Sequence, residues 1–266
     1  MSLDFDTDRA VVGMVHLAAL PGAPDFDGDR AAIRDAALRD ARRLETGGVD
    51  ALLVENFGDA PFYADDVPKH VVASMAAVVR DLRRETDLPL GVNVLRNDAE
   101  AALSVAAAAG ADFVRVNVHA GARLTDQGVV EGKAAETVRL RERLGADDVA
   151  ILADVDVKHS AALAERPLHE EVAELVERGH ADGVVASGAG TGHETDRDHL
   201  RAVVDARDDL GVDAPVFVGS GVTQETVGET LDLADGAIVG TALKEAEETT
   251  GPVDEARVRE LVDEAR

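Results

Sequence analysis

The sequence predicts an α/β fold, a (β/α)₈ barrel of the TIM type with a phosphate-binding site at strands 7 and 8. Three observations point there. Apolar runs of strand length alternate eight times with helical patterns, the rhythm of repeated βα units around a parallel sheet. The chain of 266 residues matches one barrel, read as a single domain over residues 1–266 with no linker. The last two strand runs, PVFVGSG and GAIVGTAL, both stop in small residues, where barrels commonly build a phosphate site from backbone N–H groups. An open doubly wound sheet uses the same alternation, but it rarely needs eight near-equal units, and the first strand lacks a GxGxxG turn.

In order, the strand runs are AVVGMVHL, DALLVENF, LPLGVNVL, DFVRVNV, VAILADV, DGVVASG, PVFVGSG and GAIVGTAL. Each is rich in valine, leucine or isoleucine, as strands covered on both faces require. The amphipathic stretches between them predict helices over 30–46, 68–86, 99–109, 133–144, 168–178, 196–210 and 223–231, with a final helix over 253–265. Thr223 is the expected N-cap of the seventh helix. The loop HAGARLTDQGVVEGKA is long for a βα connection and rich in glycine, which points to a lid or a partner-binding segment.

Composition narrows the partners. With 53 acidic and 27 basic residues the net charge is -26, which repels phosphate backbones and acidic membrane surfaces and argues against nucleic acid. Lysine is scarce, at 69, 133, 158 and 244 only, and the abundant aspartate fits a halophilic, acidic protein kept soluble in concentrated salt. An ordinary acidic protein is the alternative. No apolar run reaches membrane-spanning length and residues 1–8 do not read as a signal sequence, so a cytoplasmic location is expected. The absence of cysteine excludes thiolate chemistry and disulfides.

In a barrel, chemistry gathers at the C-terminal strand ends, and residues two apart share a face. Polar residues interrupt the apolar runs there: His16, Glu55, Asn93, then Arg115, Asn117 and His119, then Asp154, Asp156 and Lys158, with Ser187 ending the sixth strand. Asp154, Asp156, Lys158, His16 and Glu55 are the catalytic candidates, since carboxylates beside an ammonium or imidazole can hold a proton in transit. Lys158 also suits a Schiff base if its pKa is lowered. A structural salt bridge at the rim is the competing account of the Asp–Asp–Lys series. Asn93, Arg115, Asn117, His119 and Ser187 are the candidates for substrate binding. Gly219, Ser220, Gly221, Gly240 and Thr241 are the candidates for phosphate binding, because glycine lets the backbone approach an anion closely and the hydroxyls donate. Glycines that merely end strands are the plainer reading of each one alone.

His16, His119 and His159 suit general acids, metal ligands or hydrogen-bonding rim residues alike; no HExxH-like spacing favours metal, so a divalent metal stays open without support and no cofactor is certain. Phe57, Phe62 and Tyr63 can cover a sugar face or pack on the next helix. SGAGTGHETD resembles a further anion-binding turn.

The stretches GMVHLAALPGAP, LLVENFGDAPF, GVNVLRND, FVRVNVHAGARLTDQGVVEG, ILADVDVKHS, GVVASGAGTG, GSGV and IVGTALK together resemble the BtpA family, also called BtpA/SgcQ, over about nine-tenths of the chain. The resemblance implies a phosphate-binding type of barrel. It also implies two directions for function, because the family takes its name from a cyanobacterial factor needed for photosystem I accumulation, while other members sit beside sugar-uptake genes. The expected ligand is a phosphorylated sugar or nucleotide-like small molecule, with lyase, isomerase or glycosyl-transfer chemistry. The alternative is a non-catalytic assembly factor for a membrane complex. Homo-oligomerisation through the outer helices stays open.

Overall fold

The computed structural model describes residues 5, 7, 9–155, 157, 159–187 and 196–266. Eight parallel strands close into a barrel: β1 (Ala10–His16), β2 (Ala51–Glu55), β3 (Leu90–Asn93), β4 (Phe113–Val116), β7 (Ala150–Asp154), β9 (Gly183–Ala186), β10 (Val216–Val218) and β11 (Gly236–Val239). The ring runs β1-β11-β10-β9-β7-β4-β3-β2, so each strand lies beside its neighbours in sequence among the eight. Eight helices follow them: α1 (Arg30–Gly47), α2 (Lys69–Glu85), α3 (Ala99–Ala109), α4 (Ala134–Leu144), α5 (Leu168–Ala173), α6 (Arg197–Leu210), α7 (Val227–Leu231) and α8 (Glu255–Ala265). Three further strands, β5 (Ala122–Thr125), β6 (Gly128–Glu131) and β8 (Ser160–Ala162), form a separate antiparallel sheet in the order β6-β5-β8.

Why the ring forms is visible in its two faces. One buried cluster, including Val54, Val92, Val114, Ile151, Val184 and Val218, packs outward under the helices. A second fills the barrel interior with Ala10, Val12, Met14, Leu53, Phe113, Leu152, Val185, Phe217 and Ile238. Gly91 and Gly236 face the rings of Phe113 and Phe217, where a Cβ would collide. Two large rings thus fill the interior because the facing positions carry no side chain.

A fourfold device ties the opposite, N-terminal end of the barrel. Asp50, Asp112, Asp182 and Asp235 each stand immediately before a strand, and each accepts from the first amides of the preceding barrel strand, at Val11, Leu90, Ile151 and Val216. Arg266, Arg83, Arg141 and Arg207, each at or just beyond the end of an even-numbered helix, pair with the same four carboxylates. Four aspartates therefore satisfy amides that a strand start leaves open. Aspartate also caps helices: Asp29, Asp98, Asp196 and Asp254 accept from the first-turn amides of α1, α3, α6 and α8. These eight aspartates are structural.

Three expectations need correction. The long loop after the fourth barrel strand is a β-hairpin, turning at Gly128 with φ of 98° and paired in register Leu124↔Val129. The helix expected to start at Thr223 starts at Val227, because the Thr223 amide donates to Thr226 Oγ1 in a turn and Thr223 makes no helix cap. The fifth helix opens into a π-helical turn over Glu174–Arg178. Among the described residues, no helix is long and apolar enough to cross a membrane.

Candidate functional site at the C-terminal mouth of the barrel

Period-two alternation makes each inward face start apolar and end polar. On β1 the interior residues Ala10, Val12 and Met14 lead to His16, and on β2 Ala51 and Leu53 lead to Glu55. Phe113 leads to Arg115 and Asn117, and Ala150 and Leu152 lead to Asp154. The polar ends meet above the last apolar layer.

Arg115 is the hub. Its Nε and Nη2 donate to Asp154 Oδ1 and Oδ2, both at 2.8 Å, and Nη2 also reaches Ser187 Oγ at 3.4 Å. Asn117 Nδ2 donates to Asp154 Oδ2 at 3.2 Å, while Asn93 Nδ2 donates to Asn117 Oδ1 at 3.2 Å and to the Arg115 carbonyl oxygen at 2.8 Å. Burial works against the guanidinium charge, but the charge and hydrogen bonds of Asp154, with help from Glu55, more than offset it and raise the Arg115 pKa. Both oxygens of Asp154 are engaged, by Arg115 and Asn117. Among the described residues, the Oδ1 of Asn93, on a side chain that is almost fully buried, meets no donor. An orphan acceptor in this place suits a ligand hydroxyl.

The two glycine-ended loops meet beside this hub. Strands β10 and β11 pair directly, Val218 against Ala237, and Gly219, Ser220, Gly221, Gly240 and Thr241 line one cavity of about 130 Å³. Gly221 has φ of 73°, a left-handed conformation natural to glycine. At Gly219 a Cβ would stand 2.6 Å from Ser187 Oγ and 2.8 Å from Arg115 Nη2, so only glycine lets this loop lie against the hub. Among the described residues, the amides of Gly221, Val222, Thr241 and Ala242 donate to no protein acceptor, and all four residues line the cavity.

His16, Glu55 and Phe57 line the same cavity. His16 Nδ1 lies 2.9 Å from the Thr249 carbonyl oxygen, which can only accept, so Nδ1 carries hydrogen. That leaves Nε2 turned toward Glu55 Oε1 at 3.9 Å. Phe57 packs against the imidazole with ring centroids 4.9 Å apart. The loops around this pair are tied to one another: Asp59 accepts from Leu20 N and Asn56 Nδ2, and Asn56 Oδ1 accepts from Leu95 N. Three βα loops are thus joined by side-chain hydrogen bonds.

His119 stands apart. It is fully buried, Nε2 donates to the Gly179 carbonyl oxygen at 2.8 Å, and Nδ1 meets no donor or acceptor among the described residues. It does not share the cavity, and burial lowers its pKa from 6.5. Below about pH 6.5 the unfolded chain binds a proton that the folded chain refuses, so stability is expected to fall by up to ~1.4 kcal/mol per pH unit until the depressed folded pKa is passed. Urea unfolding of wild type and His119→Gln at pH 7.5 and 5.5, at fixed salt, checks this. An unchanged pH slope in the variant would assign the loss to other groups. Tyr63 is exposed, and Asp156, Lys158 and the turn beyond Ser187 lie outside the described residues.

Arg96 was missing from the sequence reading. It is 9% exposed, three residues past β3, and its guanidinium feels Asp154, Glu55, Asp126 and Arg115. The only signal was an arginine in NVLRND, just after a strand that ends in a polar inward residue.

The family model of the BtpA family matches residues 7–266. The chain belongs to the BtpA family. Relatives share the whole barrel: an uncharacterised protein of Thermococcus kodakarensis is 45% identical, over 99% of this chain and 97% of its own. The photosystem I biogenesis protein BtpA of Synechocystis is 40% identical over 97% of this chain and 88% of its own, and the putative sgc region protein SgcQ of Escherichia coli is 34% identical over 97% and 94%. Among solved structures, tryptophan synthase of Mycobacterium tuberculosis aligns with a TM-score of 0.63 at 19% identity, covering 97% of this BtpA-family chain and 93% of that one. N-(5'-phosphoribosyl)anthranilate isomerase of Pyrococcus furiosus aligns at 0.56 and 14%, covering 97% and 98%. At such identity these likenesses show the fold alone.

Proposed function

We propose that this BtpA-family barrel is an enzyme that binds a phosphorylated sugar or similar hydroxylated small molecule at its C-terminal mouth and moves a proton on it. One observation carries the reading: the glycine loops after β10 and β11, with four amides not donated to protein, open into the same cavity as the His16–Glu55 pair. Backbone amides held in loops cradle phosphate oxygens without the cost of reorganising a flexible side chain. The pinned imidazole and the nearby carboxylate can exchange a proton with a bound substrate, which suits an isomerase or lyase. The orphan Asn93 Oδ1 favours a hydroxylated ligand. The two solved barrels named above are enzymes, one of a phosphoribosyl compound, which is consistent with this reading by fold analogy only.

A thermal-shift panel in high potassium chloride tests it, using inorganic phosphate, sugar phosphates, nucleotides and unphosphorylated sugars. Phosphorylated compounds are expected to raise Tm with concentration, and the matching unphosphorylated sugars are not. Equal shifts with and without the phosphate would overturn the reading. Once a turnover assay exists, His16→Ala and Glu55→Gln are expected to lose turnover while still binding phosphate.

A second reading, an assembly factor, draws on the name of the Synechocystis relative and on one feature of this chain. Leu124, Val129 and Leu163 are about half exposed, on or next to the small antiparallel sheet, where an apolar protein contact can form. No Tm response to any phosphorylated compound, with loss of biological activity in Leu124→Ser, would favour it.

A further inference from the structure

We infer that the ligand carries a second anionic group at the end away from its phosphate, and that Arg96 receives it. The inference rests on the phosphate reading of the glycine loops. Going round the barrel, β3 lies four strands from β10 in either direction, so the loop that bears Arg96 faces the phosphate loops across the mouth. Arg115 lines the glycine-loop cavity and Arg96 does not, so a ligand anchored at Gly219–Gly221 must extend past Arg115 and out of that cavity to meet Arg96, whose charge acts on Arg115 and on its partner Asp154.

Arg96 is built into place. On its two sides Leu95 N donates to Asn56 Oδ1 at 2.7 Å and Asn97 Nδ2 donates to the Val118 carbonyl oxygen at 2.9 Å, while its own amide donates to the Tyr63 carbonyl oxygen at 2.9 Å. Three anchors hold one arginine at the rim. Burial opposes its charge, and the carboxylates Asp154, Glu55 and Asp126 sustain it. A chain with net charge -26 that keeps a guanidinium nine-tenths buried at its mouth pays a desolvation cost that an anionic ligand would offset. With five N–H donors, a guanidinium can serve a protein partner and still grip a carboxylate or phosphate side-on. Asp126 sits at the hairpin tip between β5 and β6, and its charge acts on the same arginine.

The test compares hexose compounds that differ only at the far end: glucose 6-phosphate against 6-phosphogluconate, and fructose 6-phosphate against fructose 1,6-bisphosphate. Affinities are measured by calorimetry in high potassium chloride on wild type, Arg96→Gln and Arg96→Lys. Wild type is expected to prefer the doubly anionic member of at least one pair by tenfold or more. Arg96→Gln is expected to erase that preference and to leave the singly phosphorylated member within threefold, with Arg96→Lys intermediate. Equal affinity within both pairs for wild type would overturn the second anion while leaving the phosphate site standing. A preference that persists in Arg96→Gln would overturn the assignment to Arg96. Failure of all four compounds and of inorganic phosphate to bind would overturn the phosphate reading itself, and this inference with it. The wild-type comparison decides the ligand class even if a variant fails to fold.

Discussion

Lys244→Ala is expected to lower the unfolding free energy by about 3–5 kcal/mol, a large share of what a domain has in total. Lys244 is 1% exposed, and its Nζ donates to Asp40 Oδ2 at 3.1 Å inside the junction of α1 with the segment after β11. Asp40 Oδ1 also accepts from Val253 N, so the carboxylate clamps both ends of a short bridge between Lys244 and Val253. Burial lowers the Lys244 pKa, and Asp40 opposes that shift. Removing the ammonium leaves a carboxylate buried without its counter-charge. The Asp40→Leu/Lys244→Met double variant is expected to recover most of the loss, since no buried charge is left over. Denaturant unfolding of the full cycle measures it, and high salt should change the coupling little because water and ions do not reach the pair. A loss below about 1 kcal/mol in Lys244→Ala would mean that the pair is solvated.

Gly219→Asp is expected to weaken phosphate binding at least a hundredfold, about 2.7 kcal/mol. The new Cβ meets Ser187 Oγ, Val185 Cγ1 at 2.6 Å and Arg115 Nη2, so the loop must leave the hub, and a carboxylate enters the cavity proposed to take an anion. Overpacking is also expected to cost about 1–3 kcal/mol of stability. Calorimetry with inorganic phosphate, on protein shown to be folded by circular dichroism, reads the two effects apart. Unchanged affinity in folded Gly219→Asp would remove the phosphate site.

Period and punctuation made much of this chain legible. Eight apolar runs marked the barrel strands, and polar residues two apart marked those facing inward, which is why His16, Glu55, Asn93, Arg115, Asn117 and Asp154 could be named before their surroundings were known. The hairpin was readable too: alternating side chains flank a turn ending in Gly128, but a glycine-rich segment between a strand and a helix looked like a lid loop. The repeated ADG and its variants before β2, β4, β9 and β11 were overlooked, although they announce the fourfold aspartate device.

By itself, then, the sequence determined the fold and the list of polar residues at the strand ends, because alternation is a local property of a covered parallel strand. Only the tertiary structure decided which of them meet. His119 continues the alternation of Arg115 and Asn117, yet it is sealed against Gly179, because the chain leaves the barrel after β4 and takes that side chain with it. Arg115 and Asp154 read as separate candidates until a bidentate pair joined them across neighbouring strands, and Arg96 drew no notice until closure of the ring set it opposite the glycine loops. Pairing between strands depends on register and ring closure, which are long-range contacts that no local window of residues contains.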